Sequence, residues 1–253
     1  MKGLYLYCIS KQANEFSLGN IGIEAQEVYS LAFHDLSVIV QAFDGQNYEK
    51  QDSEVLARCV QIYHEVVSRS WEKLGVVLPV KFGTVIKAKD GKSPKALLFS
   101  WLEQEREKFQ LKLIHLSDKA EYGVSFFWDK NKMRQKICQE NPEISQLSRE
   151  LETKSQGLAY LLKHKLEIKL KKAMEKLAQG AFTQLYDALA AQTFALKVEE
   201  LKKNDNGKLP LLNLSCLINA REEKNFQKIL TEIENQTDFE AQLIGPFPPY
   251  SFV

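Results

Sequence analysis

One short segment has the residue types of a phosphate-binding site. Gly91-Lys92-Ser93 matches the end of a phosphate-binding loop, in which backbone N–H groups and a lysine hold the phosphate. That loop also needs a glycine five positions before Gly91, where Ile86 stands. Without this glycine the backbone cannot curl around a phosphate. We therefore interpret the segment as a turn before a helix that Ser93 caps.

Histidine and cysteine side chains could serve as metal ligands or nucleophiles. His64-Glu65 begins like the helix of a zinc protease, but the second histidine would have to stand at position 68, which is Ser68. No two cysteines have C-x-x-C spacing, so the sequence predicts neither a zinc site nor a disulfide framework. We expect four buried, reduced thiols: Cys8, Cys59, Cys138 and Cys216. We predict no metal and no cofactor, although a triad assembled from distant residues stays open.

Composition narrows the class of protein. The chain has 253 residues with 34 Lys+Arg and 33 Asp+Glu, so its net charge of +1 argues against a nucleic-acid coat. The apolar run at the N-terminus is too short for a signal peptide or a membrane span, and we expect a cytosolic protein. At this length one large domain or two smaller ones are both plausible, and we favour two.

A lysine-rich stretch could attract phosphates or acidic lipid headgroups. Its basic residues are Lys163, Lys165, Lys169, Lys171, Lys172 and Lys176. Leucines at helical spacing form a narrow inner stripe beside them, so we expect the lysines to form a solvated face. We predict no binding to nucleic acid and none to a lipid membrane.

Alternating and helical patterns define the elements of the first half. The patterns predict strands at 3–10, 24–33, 36–43 and 76–80, with a hairpin at His34-Asp35. Asp52 or Ser53 can cap one helix, and Pro94 can begin another.

A new sheet begins after Ser117, so we predict two domains, 1–117 and 118–253. The second domain starts with a strand in which Ala120, Tyr122, Val124, Phe126 and Trp128 alternate with Lys119, Glu121, Gly123 and Ser125. Helix follows over 143–190 with a break at Gly180, then an ambiguous run over 193–201 and a turn at Asn204–Gly207. A strand over 212–220, a helix over 222–235 and a last strand complete the order. This is an α+β fold of sheets with helices, and the second domain has the ferredoxin-like order of elements.

Two segments have unusual composition. Leu78-Pro79-Val80-Lys81-Phe82-Gly83-Thr84-Val85 is strand-like but contains proline and glycine, which suits a sheet edge or a bulge. The C-terminus, Gly245-Pro246-Phe247-Pro248-Pro249-Tyr250-Ser251-Phe252-Val253, combines stiff prolines with large aromatics. Burying each aromatic contributes about 1.5 to 3 kcal/mol, so we expect this tail to dock. Whether it docks on its own domain or forms part of a partner surface stays open.

These two segments resemble motifs of the gas vesicle protein F/L family, a P-x-x-F-G-T element and a terminal G-P-[WF]-P-P-Y-x-F. Phe247 replaces a tryptophan common in that family, and Cys8 replaces a frequent glycine. F-type and L-type motifs overlap, and the F-type is slightly preferred.

The resemblance implies a two-domain α+β protein without enzymatic activity, the second domain a modified ferredoxin-like fold. It implies an accessory and minor structural component needed for gas vesicle formation. Its partners would be the main shell protein, GvpA, and other gas vesicle accessory proteins, and it would lie on the gas-facing side of the shell as well as in the cytoplasm. The residues that we expect to contact a partner are Pro79, Phe82, Gly83, Thr84, Gly245, Pro246, Phe247, Pro248, Pro249, Tyr250 and Phe252.

Two rival functions follow from the fold class alone. Ferredoxin-like domains host many chemistries, so a small-molecule enzyme is an alternative, and a cleft with a histidine and a carboxylate of shifted pKa would favour it. An RNA-binding sheet presenting Tyr122, Phe126 and Phe127 is a third possibility, which the balanced charge disfavours.

Overall fold

The computed structural model describes residues 3–12, 14–45, 52–153, 156–201 and 208–253. It is an α+β protein with two antiparallel sheets packed with helices, as predicted. The chain divides into two compact units, Met1–Glu121 together with Pro246–Val253, and Tyr122–Gly245. The predicted turn at Asn204–Gly207 lies outside the described residues.

The first unit is built on one sheet and two long helices. Its elements are β1 (Gly3–Ser10), β2 (Ser17–Gly19), β3 (Val28–Phe33), β4 (Leu36–Phe43), α1 (Ser53–Leu74), β5 (Leu78–Pro79), β6 (Val85–Lys87) and α2 (Pro94–Leu116). The described strands pair in the order β2-β3-β4-β1-β5, and β6 also pairs with β1. All eight residues of β1 are buried, because β1 lies inside the sheet and both α1 and α2 pack against it.

The strong periodic patterns correctly predicted β1, β4, α1 and α2 of this unit, whereas two weaker strands were predicted too long. β1 and β4 have the predicted bounds, and Ser93 caps α2 by accepting a hydrogen bond from the N–H of Ala96. The strand predicted over 24–33 begins only at Val28, because Ile23–Ala25 forms a 3-10 turn in which Glu24 and Ala25 have positive φ. The strand predicted over 76–80 is reduced to Leu78–Pro79.

The second unit holds the other sheet. Its elements are β7 (Lys119–Asp129), α3 (Lys130–Glu140), α4 (Pro142–Thr153), α5 (Gln156–Ala190), β8 (Ala195–Val198), β9 (Lys208–Asn219), α6 (Glu223–Gln236) and β10 (Phe239–Phe247). Residues 119–121 of β7 and 246–247 of β10 are grouped with the first unit. The described strands pair in the order β10-β7-β9-β8. The predicted inward residues of β7, Ala120, Tyr122, Val124, Phe126 and Trp128, are all buried.

Two predictions for this unit were wrong. The helix break predicted at Gly180 does not occur, and α5 continues to Ala190. Buried Ala181 and Leu185 continue the apolar stripe beyond Gly180, and their packing outweighs the roughly 1 kcal/mol that glycine costs inside a helix. Cys138 is only partly buried, whereas the other three cysteines are buried as predicted.

The ambiguous run over 193–201 contains strand β8. Of the predicted lysine face, Lys163, Lys165, Lys171, Lys172 and Lys176 are exposed, which confirms a solvated face, and Lys169 is half-buried. Among the described residues, every helix is too short or too polar to cross a membrane.

Candidate functional site

The first of the two unusual segments lies at the edge of the sheet in the first unit. Pro79 pairs with Cys8 of β1, and the N–H of Val80 donates a hydrogen bond of 2.9 Å to the carbonyl of Tyr7. The hydroxyl of Tyr63, on α1, donates a hydrogen bond to the carbonyl oxygen of Val80. The same hydroxyl lies 3.3 Å from the carbonyl oxygen of Tyr7. A helix side chain thus fixes the backbone where the edge strand ends.

The F-G-T part of this segment forms a tight turn. The N–H of Thr84 donates to the carbonyl of Lys81 over 3.1 Å, and the Thr84 hydroxyl donates to the same carbonyl over 2.6 Å. Gly83 has a φ of 83°, a left-handed value that favours glycine at the third position of such a turn. Its N–H donates to the hydroxyl of Tyr5 over 3.0 Å. The sequence of this motif is therefore explained by the backbone that it must adopt.

Phe82 turns inward from this loop onto a group of aromatic rings. Its ring meets that of Tyr63 edge-on at 5.6 Å and that of Tyr5 at 6.3 Å between centroids. The rings of Tyr7 and Tyr63 stack at 5.8 Å. These geometries are favourable for aromatic pairs, so the loop is held by ring packing as well as by its hydrogen bonds.

The C-terminal tail reaches the same apolar cluster. Phe82 and Tyr250 both pack against it, and the ring of Tyr250 meets the imidazole of His64 edge-on at 4.8 Å. Burial lowers the pKa of His64 and raises the pKa of Tyr250 and of Tyr63. Each shift favours the neutral side chain, which suits a packing role better than proton transfer near neutral pH.

Ser251 fixes the tail to β7. Its backbone N–H and its hydroxyl each donate a hydrogen bond of 2.7 Å to the carboxylate of Glu121. Glu121 is only 7% exposed, so this carboxylate depends on protein donors in place of water. Neither the patterns nor the motifs of the sequence had singled out Glu121.

The tail divides into a docked part and an exposed part. Pro248 and Pro249 are buried, and Tyr250 and Phe252 are half-buried. By contrast, Gly245 and Pro246 are exposed, as is Phe247, whose side chain is 38% exposed. The predicted contact residues therefore do not form one surface. Phe82 and Tyr250 pack on one buried cluster, whereas Phe247 is outside that cluster and partly exposed.

The described residues away from the tail include a cleft in the second unit. Among the described residues, no group of three or more His, Cys, Asp or Glu side chains could hold a metal ion. A cleft of about 540 Å³ lies between α3 and α5 in the second unit, and its described lining includes the ion pair of Lys136 and Asp238, 2.8 Å apart, but no histidine.

Comparison with known proteins identifies the same family that the two sequence motifs resemble. The profile of the family described as gas vesicle synthesis protein GvpL/GvpF matches residues 3–253. Gas vesicle protein L1 of Halobacterium salinarum is 23% identical, over 99% of this chain and 90% of that protein. Neither the name of this family nor the name of this relative refers to an enzymatic activity.

Two crystal structures share the fold. One is gas vesicle protein GvpF from an Anabaena species, with a TM-score of 0.79 and 18% identity over 100% of this chain and 98% of that one. The other is GvpF from Microcystis aeruginosa, with a TM-score of 0.69 and 18% identity over 100% and 99% of the two chains. Because the family profile spans nearly the whole sequence, this chain belongs to the GvpL/GvpF family of gas vesicle synthesis proteins.

Proposed function

We propose that the protein is an accessory and minor structural component required for gas vesicle formation, which binds the main shell protein GvpA during assembly and catalyses no reaction. It acts on the gas-facing side of the shell and in the cytoplasm, and other gas vesicle accessory proteins are further partners. Family membership supports the process. The contact with GvpA is our inference from the geometry of the tail.

The observation that supports this contact is the exposure of Phe247 beside a docked segment. Phe247 stands between exposed Pro246 and buried Pro248, so a partly exposed apolar residue is attached to docked backbone. Two prolines restrict the main chain around it, which lowers the entropy lost on binding. An exposed aromatic on a stiff support is typical of the residues that dominate protein interfaces.

The turn of Phe82-Gly83-Thr84, with Pro79, contributes indirectly in this proposal. Phe82 and Tyr250 pack on the same cluster and so hold the tail from which Phe247 projects. We infer that Tyr250, Pro248, Pro249 and Phe252 support the surface, whereas Gly245, Pro246 and Phe247 contact the partner.

We further propose that the second domain, 118–253 in the predicted boundaries, is a modified ferredoxin-like fold. In support, its described strands pair as β10-β7-β9-β8, the order 4-1-3-2 in chain sequence, within a β-α-β-β-α-β arrangement. The modification is the additional helices between β7 and β8. Contacts group Pro246–Val253 with the first unit, so the C-terminal boundary of this domain remains a proposal.

Co-purification of a tagged form of this protein with co-expressed GvpA tests the contact. We expect Phe247→Ala to lower the recovery of GvpA about tenfold, the equivalent of about 1.4 kcal/mol, with little change in thermal stability. Leu111→Ala is the matched control, because Leu111 is also an exposed apolar residue, 68% exposed, on a helix of the first unit.

The outcome decides the role of the tail. Equal recovery of GvpA with the Phe247→Ala protein and the wild type would remove Phe247 from the interface. Equal losses with Phe247→Ala and Leu111→Ala would show that recovery depends on general surface apolarity. The three clefts found in the second unit have no histidine in their described lining, so they do not favour the alternative of a small-molecule enzyme.

A further inference from the structure

The first half of α5 carries an apolar stripe in solvent. Leu158, Leu161 and Ile168 are 46%, 65% and 46% exposed. They are separated by three and seven residues, a spacing that places them on one face of the helix. A row of exposed leucine and isoleucine at this spacing is typical of helices that pair with another helix. We call these three residues the α5 stripe.

A different face of α5 provides its packing within the second unit. Leu166 and Leu170 are 3% and 4% exposed. Leu166 lies about 140° around the helix from Leu161, since each residue turns the helix by about 100°. Helix α4 packs against α5, and Glu143 on α4 forms an ion pair with Lys169. The fully buried positions of this part of α5 therefore lie on a different face from the α5 stripe, whose three side chains keep 46% to 65% of their surface exposed.

Two lysines lie within the same face. Lys165 follows Leu161 by four residues, Lys172 follows Ile168 by four, and both are exposed. Residues four apart are neighbours on a helix surface, so an apolar partner that covers the α5 stripe also meets these two ammonium groups. Carboxylates on the partner would neutralise them, and lysines on the partner would repel them.

The same charges disfavour pairing between two copies of this chain. In a parallel pair each lysine would face its equivalent. In an antiparallel pair with Leu161 opposite Ile168, the Lys165 side chains of the two copies would approach each other near the symmetry axis. Like charges across a helix interface favour a different partner, as they do in coiled coils.

We propose that the α5 stripe, with Lys165 and Lys172, is the docking surface for an amphipathic helix of another protein, one whose apolar stripe is flanked by Asp or Glu. This surface lies in the second unit and involves no residue of the C-terminal tail, so the protein has two binding surfaces of different chemistry. The tail offers an aromatic ring, whereas α5 offers an apolar row with two lysines on the same face.

A pair of synthetic peptides tests this proposal with the full chain. Each is about three heptads long with leucine at the core positions, and one has Glu and the other Lys at the flanking positions. Fluorescence anisotropy of the labelled peptides measures binding. We expect the wild-type protein to bind the Glu peptide and not the Lys peptide. Leu161→Ser with Ile168→Ser should weaken binding about tenfold or more.

Charge reversal gives the sharpest result. We expect Lys165→Glu with Lys172→Glu to change the preference from the Glu peptide to the Lys peptide. Lys163→Glu is the matched control, because Lys163 is exposed on the same helix about 160° around from Leu161, and it should leave the preference unchanged. Circular dichroism checks folding, which these exposed substitutions should preserve.

Three results would overturn the proposal. The first is no binding of the Glu peptide, or equal binding of both peptides. The second is self-association in analytical ultracentrifugation that Leu161→Ser with Ile168→Ser abolishes, since the α5 stripe would then pair two copies. The third is co-sedimentation with anionic phospholipid vesicles that the same double substitution abolishes, which would assign the surface to a membrane.

Discussion

The carboxylate of Glu121 accepts two hydrogen bonds from Ser251, one from the backbone N–H and one from the hydroxyl, each 2.7 Å long. The two residues are 130 positions apart in the sequence. Hydrogen bonds to an ionised acceptor are stronger than those between neutral groups, and Glu121 is only 7% exposed. This pair of bonds makes the C-terminal tail a structural part of the first unit.

Replacing Glu121 should therefore destabilise the protein. We expect Glu121→Ala to lower the free energy of unfolding by about 1 to 3 kcal/mol, because both donors of Ser251 lose their acceptor. Ser251→Ala removes only the hydroxyl bond and should cost about 1 kcal/mol. Urea unfolding followed by tryptophan fluorescence measures both values.

A surface carboxylate provides the comparison for this prediction. Glu240 forms an ion pair with Lys208 and is 57% exposed, so Glu240→Ala should change the unfolding free energy by about 0 to 1 kcal/mol. If Glu121→Ala and Glu240→Ala proved equally mild, the hydrogen bonds of Ser251 would not be what holds the tail.

The pattern of β7 shows why Glu121 escaped notice in the sequence. Alternation correctly predicted that Ala120 and Tyr122 face a core, and it placed Glu121 on the other face of the strand. A period of two cannot tell what covers that other face. Ser251 provides the cover, and its segment contains prolines without any periodic pattern, so no local signal connects the two residues.

The same limit applies to the tail and to the turn at Gly83. Their composition correctly indicated a docked tail and a sheet edge. Phe82, which we predict at a partner surface, packs against Tyr63, and this contact depends on how α1 crosses the sheet. Its role at a partner surface stays a prediction. Long elements such as α1 and α2 were predictable because their apolar stripes repeat over several turns, whereas contacts between short irregular segments come from the assembled fold.

Gly83 should be hard to replace. Its φ of 83° is left-handed, so Gly83→Ala should lower the free energy of unfolding by about 1 to 2 kcal/mol. Gly180 is the matched control, because it lies within α5 and an added Cβ would meet no atom within 4 Å. Gly180→Ala should raise the free energy by about 0.5 to 1 kcal/mol. Thermal unfolding by circular dichroism compares the two variants, and a stabilised Gly83→Ala protein would contradict the turn described above.

Tyr122 should make stability depend on pH in the alkaline range. Burial, with the nearby carboxylate of Glu223, raises the pKa of Tyr122 from 10.0 to about 12. A raised pKa means that the folded state favours the neutral phenol, so its contribution is complete below the unfolded pKa near 10 and is lost as pH rises from 10 through 12. Urea unfolding at a series of pH values should show this decline, and Tyr122→Phe should make it less steep, since phenylalanine cannot ionise. Comparison at about pH 8, where both proteins carry no tyrosinate, separates the packing effect of the substitution from its titration. Parallel profiles above pH 10 would mean that Tyr122 ionises equally in the folded and unfolded chains.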